Sequence, residues 1–370
     1  MKLGLSSLTT ACLALAFCGG AGAQTGAQTV TLFGLIDAAV EHVNKVVPSG
    51  GGLSRMPGLT GSLPSRWGVR GSEDLGGGLR VVFTLEQGFT PDAGTISQGG
   101  RAFGRQAFVG VSAPWGTLTF GRHYTMLYWS ILDADVMGPN LYGSGSLDAY
   151  IPNARADNSV SYRGSFAGFT LGGTYSLGRD AVNAGSPAGT NCAGEDAADK
   201  QACREWSALL KFDQAGWGAA LAVDEIRGGA GAFAGLTRSA LTDTRISANG
   251  YLKLGDVKAT LGLVRRDNGA SALTPKSDLW YAGMVYTLTP AWTVDAEWLD
   301  LRFKRSADKA RLVVARATYG LSRRTAVYAM AGHIANQGSL ALSVSAGAPG
   351  SNPVAGGAQT GLAAGLRHAF

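Results

Sequence analysis

The stretch Trp292-Thr293-Val294-Asp295-Ala296-Glu297-Trp298 alternates without a break. Trp292, Val294, Ala296 and Trp298 fall on one side of an extended chain, and Thr293, Asp295 and Glu297 on the other. Successive side chains of a β-strand point to opposite faces, so this is a strand with one apolar and one charged face. The pattern recurs from Val30 to Phe370. Val30, Leu32, Ile36, Ala38 and Val40 oppose Asp37 and Glu41. Leu79, Val81, Phe83 and Leu85 oppose Arg80, Thr84 and Glu86. Phe169, Leu171, Tyr175 and Leu177 oppose Thr170, Thr174 and Ser176.

Such runs start near residues 30, 65, 79, 103, 116, 158, 168, 206, 216, 244, 257, 278, 291, 311, 325 and 359. The breaks between them are by turns short and long. Short ones include the glycine-rich turn at 72–78, then 113–116, 214–216, 255–256 and 321–324. An even number of alternating segments with this spacing predicts an all-β fold, a 16-stranded antiparallel transmembrane barrel. Alternation alone also fits a soluble, secreted β-sandwich or β-helix. Two features favour the barrel. Charges recur on the polar face, as a wet lumen requires. Aromatics (Trp67, Phe120, Tyr124, Trp206, Trp217, Trp280, Tyr281, Trp292, Trp298 and Phe370) gather near segment ends, as interfacial girdles would. Between Phe103 and Ser112 both faces look apolar, so the parity there is open.

Composition agrees. Glycine makes up 55 of 370 residues, about double the usual ~7% share, with no collagen period. Charged residues are 16%, below the ~25% of soluble domains. After the leader no run reaches the ~18 apolar residues of a spanning helix, which leaves a closed barrel as the other way to cross lipid. The leader has Lys2, an apolar core from Leu3 to Phe17 and a small-residue site Ala21-Gly22-Ala23. It reads as a cleaved signal peptide over residues 1–23, leaving 24–370 as the barrel domain. Cys12 and Cys18 leave with it. Cys192 and Cys203 remain in an exported chain, where a disulfide closing a small loop is expected. A metal site there would want a nearby histidine or C-x-x-C spacing, and neither is present.

No enzyme motif stands out. His42, His123, His333 and His368 are isolated, and there is no H-E-x-x-H or G-x-S-x-G. The run Gly229 to Ala234 imitates a dinucleotide loop without the strand-to-helix context that loop needs. No catalytic residue, metal or cofactor is expected. Net charge is +6 and the arginines are scattered singly, unlike the clustered footprint of nucleic-acid binding.

The chain resembles the Gram-negative general outer-membrane porins, the β-proteobacterial branch in particular, over nearly its whole length. The resemblance rests on Val30 to Asp37, on Ser65 to Leu79 and on Phe103 to Gly110. It continues in Gly116 to Arg122, Asp157 to Tyr162 and Leu321 to Thr325, and ends in Gly365 to Phe370. Each motif is weak, but all occur in family order and spacing. The resemblance implies a homotrimer and a third external loop, here about Arg122 to Asn158, folded into the lumen. It implies a basic pore wall at Arg66, Arg105 and Arg163; Arg70, Arg80 and Arg122 are additional candidate lumen cations. The facing loop acids would be Asp133, Asp135 and Asp148. It also implies that the terminal Phe370 is presented to the barrel-assembly machinery, and that lipid and lipopolysaccharide surround the barrel. Each arginine can equally be a structural partner for a nearby carboxylate or carbonyl, as the Arg80 and Glu86 face illustrates.

The function expected is a water-filled outer-membrane channel for passive diffusion of small hydrophilic solutes and ions. With few acids in the loop, a mild anion preference is expected. A substrate-specific channel would use Tyr124, Tyr128, Trp129, Tyr142 and Tyr150 as an aromatic slide, although such residues also serve as loop core. A surface adhesin or antigen would instead use the loops near 178–205, 227–243 and 336–358.

Overall fold

The computed structural model describes residues 28–59, 61–178, 192–230, 232, 235–346 and 350–370. The expected signal segment and part of the Gly229 to Ala234 run lie outside them. The first strands are β1 (Gln28–Val46), β2 (Gly51–Arg55), β3 (Arg66–Gly76), β4 (Leu79–Gly88), β5 (Gln106–Ala113) and β6 (Gly116–Tyr124). Next come β7 (Arg155–Phe166), β8 (Phe169–Ser176), β9 (Glu205–Asp213), β10 (Trp217–Arg227), β11 (Thr242–Leu254) and β12 (Val257–Asn268). Last are β13 (Lys276–Thr287), β14 (Trp292–Phe303), β15 (Lys309–Gly320), β16 (Thr325–Gln337) and β17 (Ala358–Ala369).

Strands from β3 onward pair antiparallel with their chain neighbours, and β1 pairs with both β3 and β17, which closes the sheet. The five-residue β2 only extends the β1 edge as a hairpin, so the barrel wall has sixteen strands among the described residues. That hairpin is absent from the sequence-based expectation, because Gly51-Gly52 carries no apolar alternation. Closure leaves no open edge, so every wall strand has backbone partners on both sides.

Seven short connections lie at one end: 77–78, 114–115, 167–168, 214–216, 255–256, 288–291 and 321–324. The opposite end carries longer ones, among them 125–154, 177–204 and 338–357. Gly76, Gly77 and Gly78 take φ of +83°, +62° and +81°, a left-handed path that side chains disfavour. This is why the first short turn is three glycines.

Face assignment follows the alternation. On β1, Val30, Leu32, Ile36 and Val40 are exposed while Asp37 and Glu41 are buried. On β13, Trp280, Met284 and Tyr286 are exposed while Leu279 and Tyr281 are buried. The wall is thus apolar outside, as lipid demands, while its inward face carries acids such as Asp37 and Glu41 together with apolar side chains such as Leu279 that cluster with Met137 and Leu141 of segment 125–154. At the chain end, Phe370 exchanges both backbone hydrogen bonds with Gly34, each 3.0 Å. Cys192 and Cys203 form a disulfide with Cα atoms 5.2 Å apart.

Candidate functional site: the pore lining

The inward faces of β3, β4 and the chain before β5 meet at one carboxylate. Glu86 Oε1 accepts from Arg105 Nε at 2.9 Å and lies 3.1 Å from Arg66 Nε. Arg105 precedes β5 rather than lying within it. It leans over the Tyr124 ring, 5.8 Å from the centroid. Arg80 faces the lumen with Glu86, but Glu86 is already taken by Arg66 and Arg105, six residues up the strand from Arg80.

Arg163 on β7 has no carboxylate partner among the described residues. Its guanidinium stacks on Trp129 at 3.9 Å from the centroid. Arg70 lies 5.3 Å from the Phe33 ring centre. Arg122 is anchored differently. It donates to the Gly104 carbonyl at 2.8 Å and pairs with Asp157, and it lines neither of two basic cavities inside the barrel.

Among the described residues, two of the cavities inside the barrel carry basic side chains. One, of about 1140 Å³, is lined by Arg66, Arg105, Arg155, Arg316 and Arg367, with Asp135 as the one carboxylate. The other, of about 410 Å³, is lined by Arg70 and Arg163 with threonines, serines and aromatics, and by no carboxylate. Arg155, Arg316 and Arg367 are missing from the expected set. Arg367 shares a face with Gly361 and Gly365, so strand parity alone could have found it. Arg155 lies outside any motif. It donates to the Pro152 carbonyl at 2.9 Å and stacks on Tyr124 at 4.6 Å. Arg316 is held by Asp295 at 2.6 and 2.8 Å.

The segment 125–154 bonds to wall side chains along its length. It opens with the short helix Met126–Ile131, whose first N–H donates to Ser207 Oγ at 3.0 Å. Asp133 accepts from Lys211 at 2.5 Å. Val136 and Met137 N–H donate to Glu297 at 3.1 and 2.9 Å. Asp135 accepts from Gly138 N–H and Ser144 Oγ at 2.8 and 2.6 Å, and burial pushes its carboxyl up from the usual range. Asp148 accepts both arms of Arg245, at 2.8 and 3.2 Å. Burial alone would raise its pKa, but the Arg245 and Arg266 guanidiniums hold it down at about 2.

Tyr142 donates to Glu41 at 3.2 Å, and the Tyr150 hydroxyl lies 2.9 Å from Glu205 and 2.6 Å from Asp224, to one of which it donates. Both rings are fully buried. Tyr124, Tyr128 and Trp129 form a separate cluster, with Tyr124 stacked on Tyr128 at 4.0 Å. Burial pushes the Tyr128 hydroxyl up to about 12.

A family profile described as Gram-negative porin matches residues 9–339. The chain is 30% identical to outer membrane porin protein 32 of Delftia acidovorans, over 97% of this chain and 99% of that one. Its fold is similar to that of an anion-selective porin from Comamonas acidovorans, with a TM-score of 0.76 and 23% identity, covering 93% and 100% of the two chains. It is also similar to a trimer form of OmpT from Vibrio cholerae, with a TM-score of 0.63, 15% identity and 93% and 100% coverage. A closed 16-stranded wall, arginine-lined cavities inside it and a whole-length match together place the chain in the Gram-negative porin family, as an outer-membrane channel for passive diffusion of small hydrophilic solutes.

Proposed function

We propose that this porin prefers anions mildly over cations, and that segment 125–154 folds back into the lumen to form the constriction. The lining carries the reading: seven arginines against one carboxylate border the two cavities. A narrow opening in low-dielectric protein focuses the field of such a lining, so small anions concentrate in it. Arg66, Arg105 and Arg163 form the basic wall, and Arg70 and Arg80 extend it toward the short-turn end. Asp133, Asp135 and Asp148 supply little free counter-charge, because each is committed to a lysine, to the loop's own N–H and hydroxyl groups, or to Arg245. The bonds from the segment to Ser207, Lys211, Arg245 and Glu297 support its placement against the inner wall. The anion selectivity named for the Comamonas porin points the same way.

The same reading makes the chain a homotrimer exported through a signal of residues 1–23. Lipid, lipopolysaccharide and the assembly machinery are its membrane partners. A substrate-specific aromatic slide is less supported, since Tyr142 and Tyr150 are bonded away as anchors. Single-channel current across a salt gradient in a planar bilayer tests the proposal. A reversal potential favouring chloride, in steps of three, is expected. A reversal favouring potassium would overturn the selectivity, and single steps would overturn the trimer.

A further inference from the structure

The short turn between β11 and β12 sets two lysines face to face on the inner wall. Asp243, Arg245 and Ser247 are buried on the inward side of β11, and Tyr251 and Lys253 follow on that side at the same two-residue period. Leu252 and Leu254 are exposed on the other side, toward lipid. On β12, Thr260 and Val264 are buried inward and Leu261 is exposed outward, so Lys258 shares the inward face. The strand register pairs Lys253 directly with Lys258. The turn at 255–256 joins their strands, so both lysines face the lumen at its short-turn end.

Like charges directly opposite across a strand pair are destabilising. The nearby acids do not relieve this pair, because both are committed to Lys211. Its Nζ lies 2.5 Å from Asp133 Oδ2 and 2.9 Å from Asp213 Oδ2. Asp213 also accepts from the Tyr251 hydroxyl at 3.0 Å, which fixes that ring. Lys253 and Lys258 Nζ stand 5.5 and 4.6 Å from the ring centre. A tyrosine face steadies two ammoniums by cation–π attraction and neutralises neither. Three lysines thus meet two carboxylates, which leaves a positive charge on the inner wall. Asp133 belongs to segment 125–154, so the cluster borders that segment, and it stands on other strands than Arg66 and Arg163. Opposed residues of an antiparallel pair have Cβ atoms about 4.5–5.5 Å apart. Two ammoniums at that spacing fit around one tetrahedral oxyanion, each on a different oxygen. Lysine binds phosphate as a point charge, and a doubly charged ion gains about twice the Coulomb attraction of chloride there.

We propose that Lys253 and Lys258 form a binding station for a doubly charged phosphate group at the short-turn mouth of the channel, separate from the arginine wall. The inference rests on the anion-conducting channel of the proposed function. Chloride current through the full mature protein in a planar bilayer, at pH 8 and low salt to limit screening, is titrated with inorganic phosphate, glycerol 3-phosphate and acetate. Inorganic phosphate is expected to reduce the current saturably, and acetate is not. The half-blocking phosphate concentration should rise roughly tenfold in K253Q/K258Q. A unitary chloride current close to wild type in that variant would show that the barrel is intact. If the double variant forms no channels, K253Q alone should raise the half-blocking concentration roughly threefold. Block by glycerol 3-phosphate would extend the station to phosphate esters, and its absence would confine the station to the free ion. An unchanged half-blocking concentration in the lysine variants would overturn the proposal. So would acetate blocking as well as phosphate, or R163Q weakening the block as much as K253Q/K258Q, which would place the phosphate at the arginine wall. A reversal potential favouring potassium with the phosphate block intact would sink the anion preference and leave this station standing.

Discussion

Arg105 Nε lies 2.9 Å from Glu86 Oε1, and that same oxygen lies 3.1 Å from Arg66 Nε. One carboxylate thus sets the net charge of the cluster at plus one. Glu86→Gln removes that charge while leaving an acceptor for Arg105. The chloride-to-potassium permeability ratio is expected to rise, measured by reversal potential. Losing a charged acceptor should also cost roughly 2 kcal/mol of barrel stability in denaturant unfolding. Arg66→Ala and Arg105→Ala should move selectivity the other way. An unchanged chloride preference for Glu86→Gln would mean that the cluster does not face the permeating ion.

Arg163 offers a cleaner probe, because no described carboxylate holds it. Arg163→Gln should lower anion preference with under about 1 kcal/mol of stability change, as for a lost cation–π contact. Trp129→Leu should free the guanidinium to move. Selectivity would then persist while open-channel current noise increases. A stability loss as large as that of a buried ion pair would show instead that Arg163 is structural.

Alternation made the wall legible. The sixteen expected starts lie within about three residues of the observed ones, because each strand carries its own inside and outside. The charge partners were not legible. Asp148 and Arg245 are 97 residues apart, and Glu297 meets Val136 across 161. Such pairs depend on which strands a loop reaches, and strand parity does not encode that. Arg105 was found by motif although its strand was ambiguous. The reason is now visible: it precedes β5, and the inward Phe108 stacks on His123 at 5.1 Å, which gives that strand two apolar faces.

The last ring of the chain lies over Gly34. A Cβ built there would stand 2.2 Å from Phe370 Cζ, so a larger residue there forces the ring to move. Gly34→Val is expected to cost about 1–3 kcal/mol by overpacking. It should also lower the temperature at which the barrel loses its compact gel mobility. Gly34→Val combined with Phe370→Ala should recover part of the loss. No recovery would place the strain in the β1 backbone instead of in this ring contact.

The Asp148 to Arg245 pair makes the loop anchor resistant to acid. Asp148 is held at about 2, below the ordinary carboxylate value of about 3.9. A depressed carboxylate stabilises fully above the unfolded value and loses that contribution as pH falls through the folded one. The anchor should therefore be intact at pH 4 and fail only near pH 2, with roughly 2–3 kcal/mol at stake. Asp148→Asn removes the pH dependence by removing the charge, and leaves Arg245 with Asp243 at 3.1 Å. At pH 7 that variant should show larger current noise and faster proteolysis between residues 125 and 154, and wild type should match it only near pH 2. Wild-type channels that become noisy already at pH 4 would assign the acid response to Asp135, whose carboxyl burial pushes up rather than down.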